Sequence, residues 1–359
     1  MTSRDPLTGA GRVRSGEELN VDAVHRWLAE RLPGLGEAPE VTQYAGGASN
    51  WTYRLRYPDH DLVLRRPPAG TKAKSAHDMG REFRIQRALR PVYPLVPEMI
   101  GHCADPSVIG AEFYVMRRLP GVVLRRRVPD GVVVTESVAR ELCRNAVDAM
   151  VALHAVDPTG TDLDRFNRGP GYARRQIDGW CDRYVRARTW NVPTLAGTRR
   201  WLDRHTPDDV ASCVIHGDFR LDNLVLDPGS PDRILGVLDW EMATVGDPLM
   251  DLGNSLAYWV EADDDRIARS TRRQPSHLPG MLTRRELVDT YLERSGLERP
   301  SNWAFYEVYG LFRLAVIAQQ IYYRYHNRQT RNPAFRNFWF FVWYLGWRCR
   351  RLIADHDRR

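Results

Sequence analysis

The sequence predicts an α+β fold with two lobes, in which a small antiparallel sheet of five strands precedes a large, mainly helical region. Strand-length runs rich in β-branched and aromatic residues lie in the first third of the chain, between turn-forming residues. Later segments instead carry apolar residues at helical spacing. These patterns divide the chain into a flexible tail at residues 1–19, a sheet-containing lobe at 20–117 and a helical lobe at 118–359.

The sheet-containing lobe is predicted to begin with a helix. Asn20 can cap this helix, and apolar residues recur at helical spacing from Val21 to Leu32. The five strands that follow are predicted at about 40–45, 51–57, 61–66, 99–103 and 113–116.

The composition is that of an ordinary globular protein, with 43% hydrophobic and 27% charged residues over 359 positions. The formal net charge is +7, and arginine supplies all but two of the 52 basic residues. This charge is compatible with a polyanionic ligand such as a nucleotide, coenzyme A or nucleic acid.

The five cysteines are scattered and form no C-x-x-C pair, which argues for reduced thiols in a cytoplasm and against a zinc site or a disulfide framework. The longest apolar run, Phe338 to Trp347, is far shorter than the roughly 20 residues that span a bilayer. No apolar signal core is apparent near Met1. We therefore expect a cytoplasmic protein without a membrane span.

The loop between the first two predicted strands reads Gly46-Gly47-Ala48-Ser49-Asn50. Adjacent glycines let the backbone approach a ligand closely, and Ser49 adds a hydroxyl group beside exposed N–H groups. A plain hairpin loop is the alternative. The position ahead of a pair of strands favours a loop that binds nucleotide phosphates.

A cation and an acid complete the predicted nucleotide site. Arg65, on the third strand, lies where a phosphate-binding cation is expected, and the next helix offers Glu82 as its partner. A surface arginine and an exposed helical glutamate are the alternative. Lys72 and Lys74 lie in the intervening loop, where solvated charges are the favoured interpretation. Met116, beside a hinge predicted at residues 117–121, is assigned to the same site, with hinge backbone groups holding the base.

The strongest motif is H-x-D-x-x-x-x-N, formed by His216, Asp218 and Asn223. In kinase-type sites this spacing supplies a catalytic aspartate and a metal-binding asparagine. Asp239 ends an apolar run further along the chain, and a hairpin around residues 227–231 is predicted to return it beside Asn223. The sequence therefore predicts that Asn223 and Asp239 bind a divalent metal next to Asp218.

Three segments of the helical lobe have two interpretations each. Residues 171–205, rich in arginine and tryptophan, could contact nucleic acid, but a helical insert with a solvated arginine face is favoured. The acidic residues at 261–265 could contact a cationic substrate, but a helix-end charge run is favoured. The aromatic segment 337–347 could lie on a membrane surface, but a buried core helix is favoured.

Together these residues resemble the aminoglycoside phosphotransferase and choline kinase group of kinase-like enzymes, over nearly the whole chain after residue 20. Its strongest motifs are His216-Gly-Asp218 with Asn223, Asp239-Trp-Glu241, and Gly246-Asp247-Pro248 with Asp251. Within this group the sequence is similar to the kinase-like region of some acyl-CoA dehydrogenases, as seen at residues 63–70, 75–77, 81–83, 222–227 and 257–259.

The resemblance implies a two-lobed protein-kinase-like fold, ATP or GTP as co-substrate, Mg²⁺, and phosphoryl transfer to a hydroxyl group of a small molecule. Asp218 would take the proton of that hydroxyl. His216 would brace the loop, and Asp247 and Asp251 would order the chain beneath it. Arg65 stands where the wider group has lysine, and Asp-Trp-Glu replaces Asp-Phe-Gly.

The acceptor remains open between several classes. The acyl-CoA dehydrogenase branch implies a hydroxyacyl-coenzyme A or a related metabolite. An aminoglycoside or macrolide antibiotic is an alternative, although a polycation gains nothing from a chain of net charge +7. A nucleotide-binding pseudokinase is the second class, and nucleic-acid binding is the third and is not expected. The oligomeric state does not follow from the sequence.

Overall fold

A computed structural model describes residues 9–44, 50–68 and 78–358. The strands are β1 Ala10–Gly11, β2 Glu40–Tyr44, β3 Trp51–Arg56, β4 Asp61–Arg66, β5 Met99–Cys103, β6 Phe113–Arg117, β7 Cys213–Ile215, β8 Leu224–Asp227, β9 Ser230–Val237 and β10 Thr244–Gly246. The helices are α1 Val21–Ala29, α2 Met79–Leu89, α3 Glu136–His154, α4 Tyr172–Ala187, α5 Ala196–Arg204, α6 Pro248–Ala257, α7 Arg266–Thr271, α8 Arg284–Ser295, α9 Trp303–His326 and α10 Phe338–Asp357.

The first lobe is built on one antiparallel sheet with the strand order β1-β2-β3-β4-β6-β5. Central strand β4 is buried on both faces, which explains its continuous apolar run from Leu62 to Leu64. One face packs on α1 through Val24, Trp27 and Leu28. The other face packs on α2 through a smaller core that includes Phe83. The sheet therefore lies between two helices.

The prediction of five strands is wrong, because the sheet has six. The additional strand, β1, pairs through Ala10 with Tyr44 and through Gly11 with Gln43. It lies inside the segment predicted to be a flexible tail. A hydrogen bond of 2.6 Å from the Tyr53 hydroxyl to the Glu17 carbonyl also ties this segment to the sheet. A strand of two residues is too short to show the alternation of apolar and polar residues that indicates a strand, so the sequence could not predict it.

The helical lobe is organised around α9, a long helix with 13 buried residues. It crosses α6 where Gly253 and Gly310 meet, and a Cβ atom on Gly310 would overlap the Gly253 carbonyl group. The large core around α9 also includes Ile85 and Leu89 from α2. The two lobes therefore share part of one hydrophobic core.

Helix α10 packs against α9 on one side only. Its buried residues include Val342, Leu345 and Cys349. Trp339, Phe340, Trp343 and Trp347 lie on the other side with 37–47% of their surface exposed. The buried core helix that the sequence favours is therefore confirmed for one side of α10, but it is wrong for these four exposed side chains. No helix in the described ranges combines the length and the apolar character that crossing a bilayer requires.

Candidate functional site

The catalytic-type loop lies between β7 and the β8–β9 hairpin. In this hairpin Leu224 pairs with Val237, and the Leu238 N–H donates to the Asn223 carbonyl at 2.8 Å. These contacts bring Asp239 next to Asn223 although sixteen positions separate them in the sequence. The hairpin that the sequence predicts is confirmed.

Asp218 is half-buried and is held by two neighbours from its own loop. The Nδ2 of Asn223 donates to the Asp218 carbonyl at 2.8 Å and to its Oδ2 at 3.3 Å. Arg220 forms an ion pair with the same carboxylate, at 3.1 Å from Nη2 to Oδ2. Because the amide nitrogen of Asn223 faces Asp218, its Oδ1, the atom that can bind a metal, points away from Asp218.

His216 is fully buried and uses both ring nitrogens within the protein. Nε2–H donates to the Leu238 carbonyl at 3.0 Å, and Nδ1 accepts from the Asp218 N–H at 3.2 Å. Burial lowers the pKa of His216, so the neutral imidazole with this tautomer fits both bonds. With both nitrogens occupied, His216 braces the loop and has no nitrogen left for a metal.

Asp251 and Asp247 hold the backbone beneath the loop. The two oxygens of Asp251 accept from the N–H groups of His216 and Gly217, both at 2.8 Å. Nε2 of His154 lies 3.2 Å from Oδ2 of Asp251. Asp247 caps α6 by accepting from the Met250 N–H at 2.9 Å.

Asp239 has a backbone conformation that is unusual for a residue with a side chain, with φ 68° and ψ 58°. A non-glycine residue in the left-handed region costs on the order of 1–3 kcal/mol. The β8–β9 hairpin and the buried Trp240 hold this conformation. Such strain occurs often at functional sites.

Arg65 and Glu82 form the ion pair that the sequence predicts, at 2.7 Å. Glu82 also accepts from the Tyr114 hydroxyl at 2.8 Å. Burial alone would lower the pKa of Arg65, but the Glu82 carboxylate raises it above its ordinary value. The alternative of a surface arginine and an exposed glutamate is therefore wrong.

Arg65 also reaches the other lobe, a contact that the sequence did not indicate. Its Nη2 lies 3.1 Å from Oδ1 of Asp239 and 3.8 Å from Oε2 of Glu241. Burial and the nearby Asp239 carboxylate raise the pKa of Glu241 to about 8. The buried Nε of Arg65 has no hydrogen-bond partner in the described part of the chain. Its N–H group is therefore available to donate a hydrogen bond to an anionic ligand.

The structure describes only some of the other residues that are predicted to bind the nucleotide. Asn50 lies at the interlobe site, where its Nδ2 donates to Glu241 at 3.3 Å. Met116 packs in the small core beside α2. Gly46, Gly47 and Ser49 lie outside the described residues, as do Lys72 and Lys74.

The donor set at Asn223 and Asp239 fits a hard divalent cation. Both residues offer side-chain oxygen atoms, which Mg²⁺ prefers. Across the residues that the structure describes, no group of three or more His, Cys, Asp or Glu residues is arranged to hold a metal. A cation here would therefore complete its shell with ligand phosphates and water, as Mg²⁺ commonly does.

A pocket of about 260 Å³ adjoins the catalytic-type loop. Arg220, Asp222 and Tyr258 line one end, and the Arg220 guanidinium lies 4.4 Å from the centre of the Tyr258 ring. The walls are largely apolar and come from α9 and α10, with Leu314, Ile317, Ile321, Phe338, Phe341 and Leu345. Sequence reasoning missed this pocket. The proximity of Arg220 to Asp218 in the motif was the one available signal.

The chain matches the model of the phosphotransferase enzyme family over residues 40–287. It is 36% identical over 315 residues to acyl-CoA dehydrogenase family member 10 of Mus musculus, covering 87% of this chain and 29% of that protein. It is also 36% identical to family member 11 of Rattus norvegicus, covering 86% and 40%. The chain thus spans less than half the length of either relative.

Solved structures share the fold. A Ralstonia eutropha protein provisionally assigned as an aminoglycoside phosphotransferase has a TM-score of 0.77 and 27% identity, covering 92% of this chain and 98% of that one. Choline kinase from Cryptosporidium parvum has a TM-score of 0.65 and 12% identity, covering 94% and 97%. An aminoglycoside phosphotransferase APH(4)-Ia mutant in complex with AMP-PNP and hygromycin B has a TM-score of 0.56 and 15% identity, covering 92% and 98%.

Proposed function

Since the chain belongs to the phosphotransferase enzyme family, we propose that it transfers the terminal phosphoryl group of ATP or GTP to a hydroxyl group of a small molecule. The convergence of Asp218, Asn223 and Asp239 in one loop-and-hairpin unit carries this proposal. The complex of the structural neighbour with AMP-PNP supports ATP as the co-substrate.

The protein contributes proton transfer, orientation and charge. Asp218 accepts the proton of the acceptor hydroxyl, and its ion pair with Arg220 fixes the direction of the carboxylate. Asn223 and Asp239 would hold Mg²⁺, which would neutralise negative charge on the phosphates. Arg65 donates to the phosphates, and Glu82 and Tyr114 hold its guanidinium group.

The pocket favours an acceptor that has an apolar chain and a negative charge, such as a hydroxyacyl-coenzyme A or a related metabolite. Its walls are apolar, and Arg220, Arg273 and Arg348 are its cations. The acidic residues at 261–265 offer little to a polycationic antibiotic. Asp264 is paired with Arg284 at 2.6 Å, and Asp265 caps α7, as the helix-end interpretation predicts.

The test is phosphate transfer by wild-type protein and by Asp218→Asn. Labelled nucleotide is offered with hydroxyacyl-coenzyme A thioesters, aminoglycosides, macrolides and choline, and a gain of one phosphate is detected by mass spectrometry. Loss of the proton acceptor should lower kcat by about 10²–10⁴-fold. The exposed variant Asp178→Asn should behave as wild type.

Two results would contradict the proposal. Full activity in Asp218→Asn would remove the assigned role of this carboxylate. Magnesium-dependent nucleotide binding without transfer to any acceptor would instead support a pseudokinase.

A further inference from the structure

Ala268, Thr271 and Arg273 line one side of the pocket beside the catalytic-type loop. We call Arg269, Arg272 and Arg273 of this segment, together with Arg126, whose charge acts on Arg272, the arginine cluster. Burial lowers the pKa of Arg272, and the nearby positive charges of Arg126 and Arg269 lower it further. Within residues 9–44, 50–68 and 78–358, none of the four forms an ion pair with a carboxylate, and the buried Nε of Arg272 has no hydrogen-bond partner.

Buried polar contacts fix the position of this cluster relative to the catalytic-type loop. Gln274, which follows the cluster directly, is buried. Its Oε1 accepts from the Leu221 N–H at 2.8 Å, and its Nε2 donates to the Tyr258 carbonyl at 3.2 Å. Leu221 lies between Arg220 and Asp222, which line the pocket. Arg272 and Arg273, which precede Gln274, are therefore tied to the loop that carries Asp218.

The fold itself does not require four cations that lack an ion-pair partner among the described residues. Arg269 gains some stabilisation from the end of α7, since cations near a helix C-terminus interact favourably with the helix dipole. Arg126 comes from a distant segment and only adds repulsion to Arg272. Clustered charges of one sign concentrate ligands of opposite charge. An anion is thus the expected occupant.

We propose that the arginine cluster binds a negatively charged group of the acceptor, while the apolar chain lies in the pocket and carries the hydroxyl group toward Asp218. This inference rests on the proposed function and assigns residues to recognition of the acceptor. A carboxylate of a free hydroxy acid and the phosphates of a thioester carrier are two sources of the same chemistry. Either would oppose the positive charge of the cluster.

The test measures binding without transfer, by isothermal titration calorimetry in saturating ADP. Octanoate, octanoyl-coenzyme A and methyl octanoate share an acyl chain that carries no hydroxyl group. They present a carboxylate, phosphates and no charge, respectively. ADP keeps the adenosine end of coenzyme A out of the nucleotide site. The variant combines Arg126→Gln and Arg269→Gln, both exposed. Its control combines Arg186→Gln and Arg350→Gln, exposed arginines of α4 and α10.

We expect at least one anionic ligand to bind more tightly than methyl octanoate. The Arg126→Gln/Arg269→Gln variant should weaken that binding about tenfold and leave the ester unaffected. Binding of octanoate identifies a carboxylate site, and binding of octanoyl-coenzyme A alone identifies a phosphate site. The proposal would be overturned if the variant lost affinity equally for all three ligands or if the control variant lost as much affinity. It would also be overturned if the wild-type protein bound no anionic ligand more tightly than methyl octanoate. If an anionic ligand bound in a way that depends on the cluster but no acceptor gained a phosphate, only the proposed function would be contradicted.

Discussion

The carboxylate of Asp251 lies in the interior and accepts hydrogen bonds from the N–H groups of His216 and Gly217. Burial would raise its pKa, but the hydrogen bond and the electrostatic interaction with His154 lower it below the ordinary value of 3.8. The carboxylate therefore stabilises the fold above that value, and this stabilisation is lost as the pH falls through the folded pKa.

Replacing Asp251 with asparagine should lower the free energy of unfolding by about 3 kcal/mol near neutral pH, because the amide leaves buried donors poorly paired. Urea unfolding at several pH values measures this difference. It should shrink in acid, where the wild-type carboxylate becomes protonated. A difference of the same size at all pH values would show that packing, and not charge, is responsible.

For single residues, the sequence predicts a role where the spacing within a motif has a chemical meaning. It does not predict contacts between residues that are far apart in the chain. The spacing of His216, Asp218 and Asn223 indicated the loop, and Asp239 followed from the hairpin. Arg65 was paired correctly with Glu82, but its contact with Asp239 joins residues far apart in the chain. No local pattern encodes a contact of this kind.

Among the elements, α6 and α9 form a close crossing that depends on glycine. Gly310→Ala would place a methyl group against the Gly253 carbonyl group. We expect a loss of about 2 kcal/mol in the free energy of unfolding, the typical cost of overpacking. Gly179→Ala in α4 is the control, because its nearest neighbour is the flexible end of Arg183, 3.6 Å away. This control should be neutral or slightly stabilising, since alanine favours helix.

Chemical denaturation of both variants tests the crossing. If Gly310→Ala were as stable as wild type, α6 and α9 would have to lie further apart than described. The sequence did not predict this crossing, because glycine within a helix can equally mark a flexible site. It predicted α1 and its Asn20 cap and missed β1, whose two residues depend on pairing with β2.

In the whole molecule, Arg81 of α2 connects the lobes. Its guanidinium donates to the Glu241 carbonyl at 3.2 Å and to the Ala243 carbonyl, and it lies 5.3 Å from the centre of the Phe166 ring. These contacts orient the helix that carries Glu82, and hence Arg65, toward Asp239. Since Ile85 and Leu89 of the same helix belong to the large core, the lobes should unfold in one transition.

Replacing Arg81 with alanine should therefore lower Tm by a few degrees while one transition is kept, since two charge-assisted hydrogen bonds are lost. It should also raise KM for the nucleotide by about three- to tenfold, because small misplacements of binding groups weaken a site. Calorimetry and steady-state kinetics measure the two effects. Arg87→Ala, an exposed change on the same helix, is the control. If both variants raised KM equally, loss of positive charge would explain the effect, and the interlobe contact of Arg81 would have no part in it.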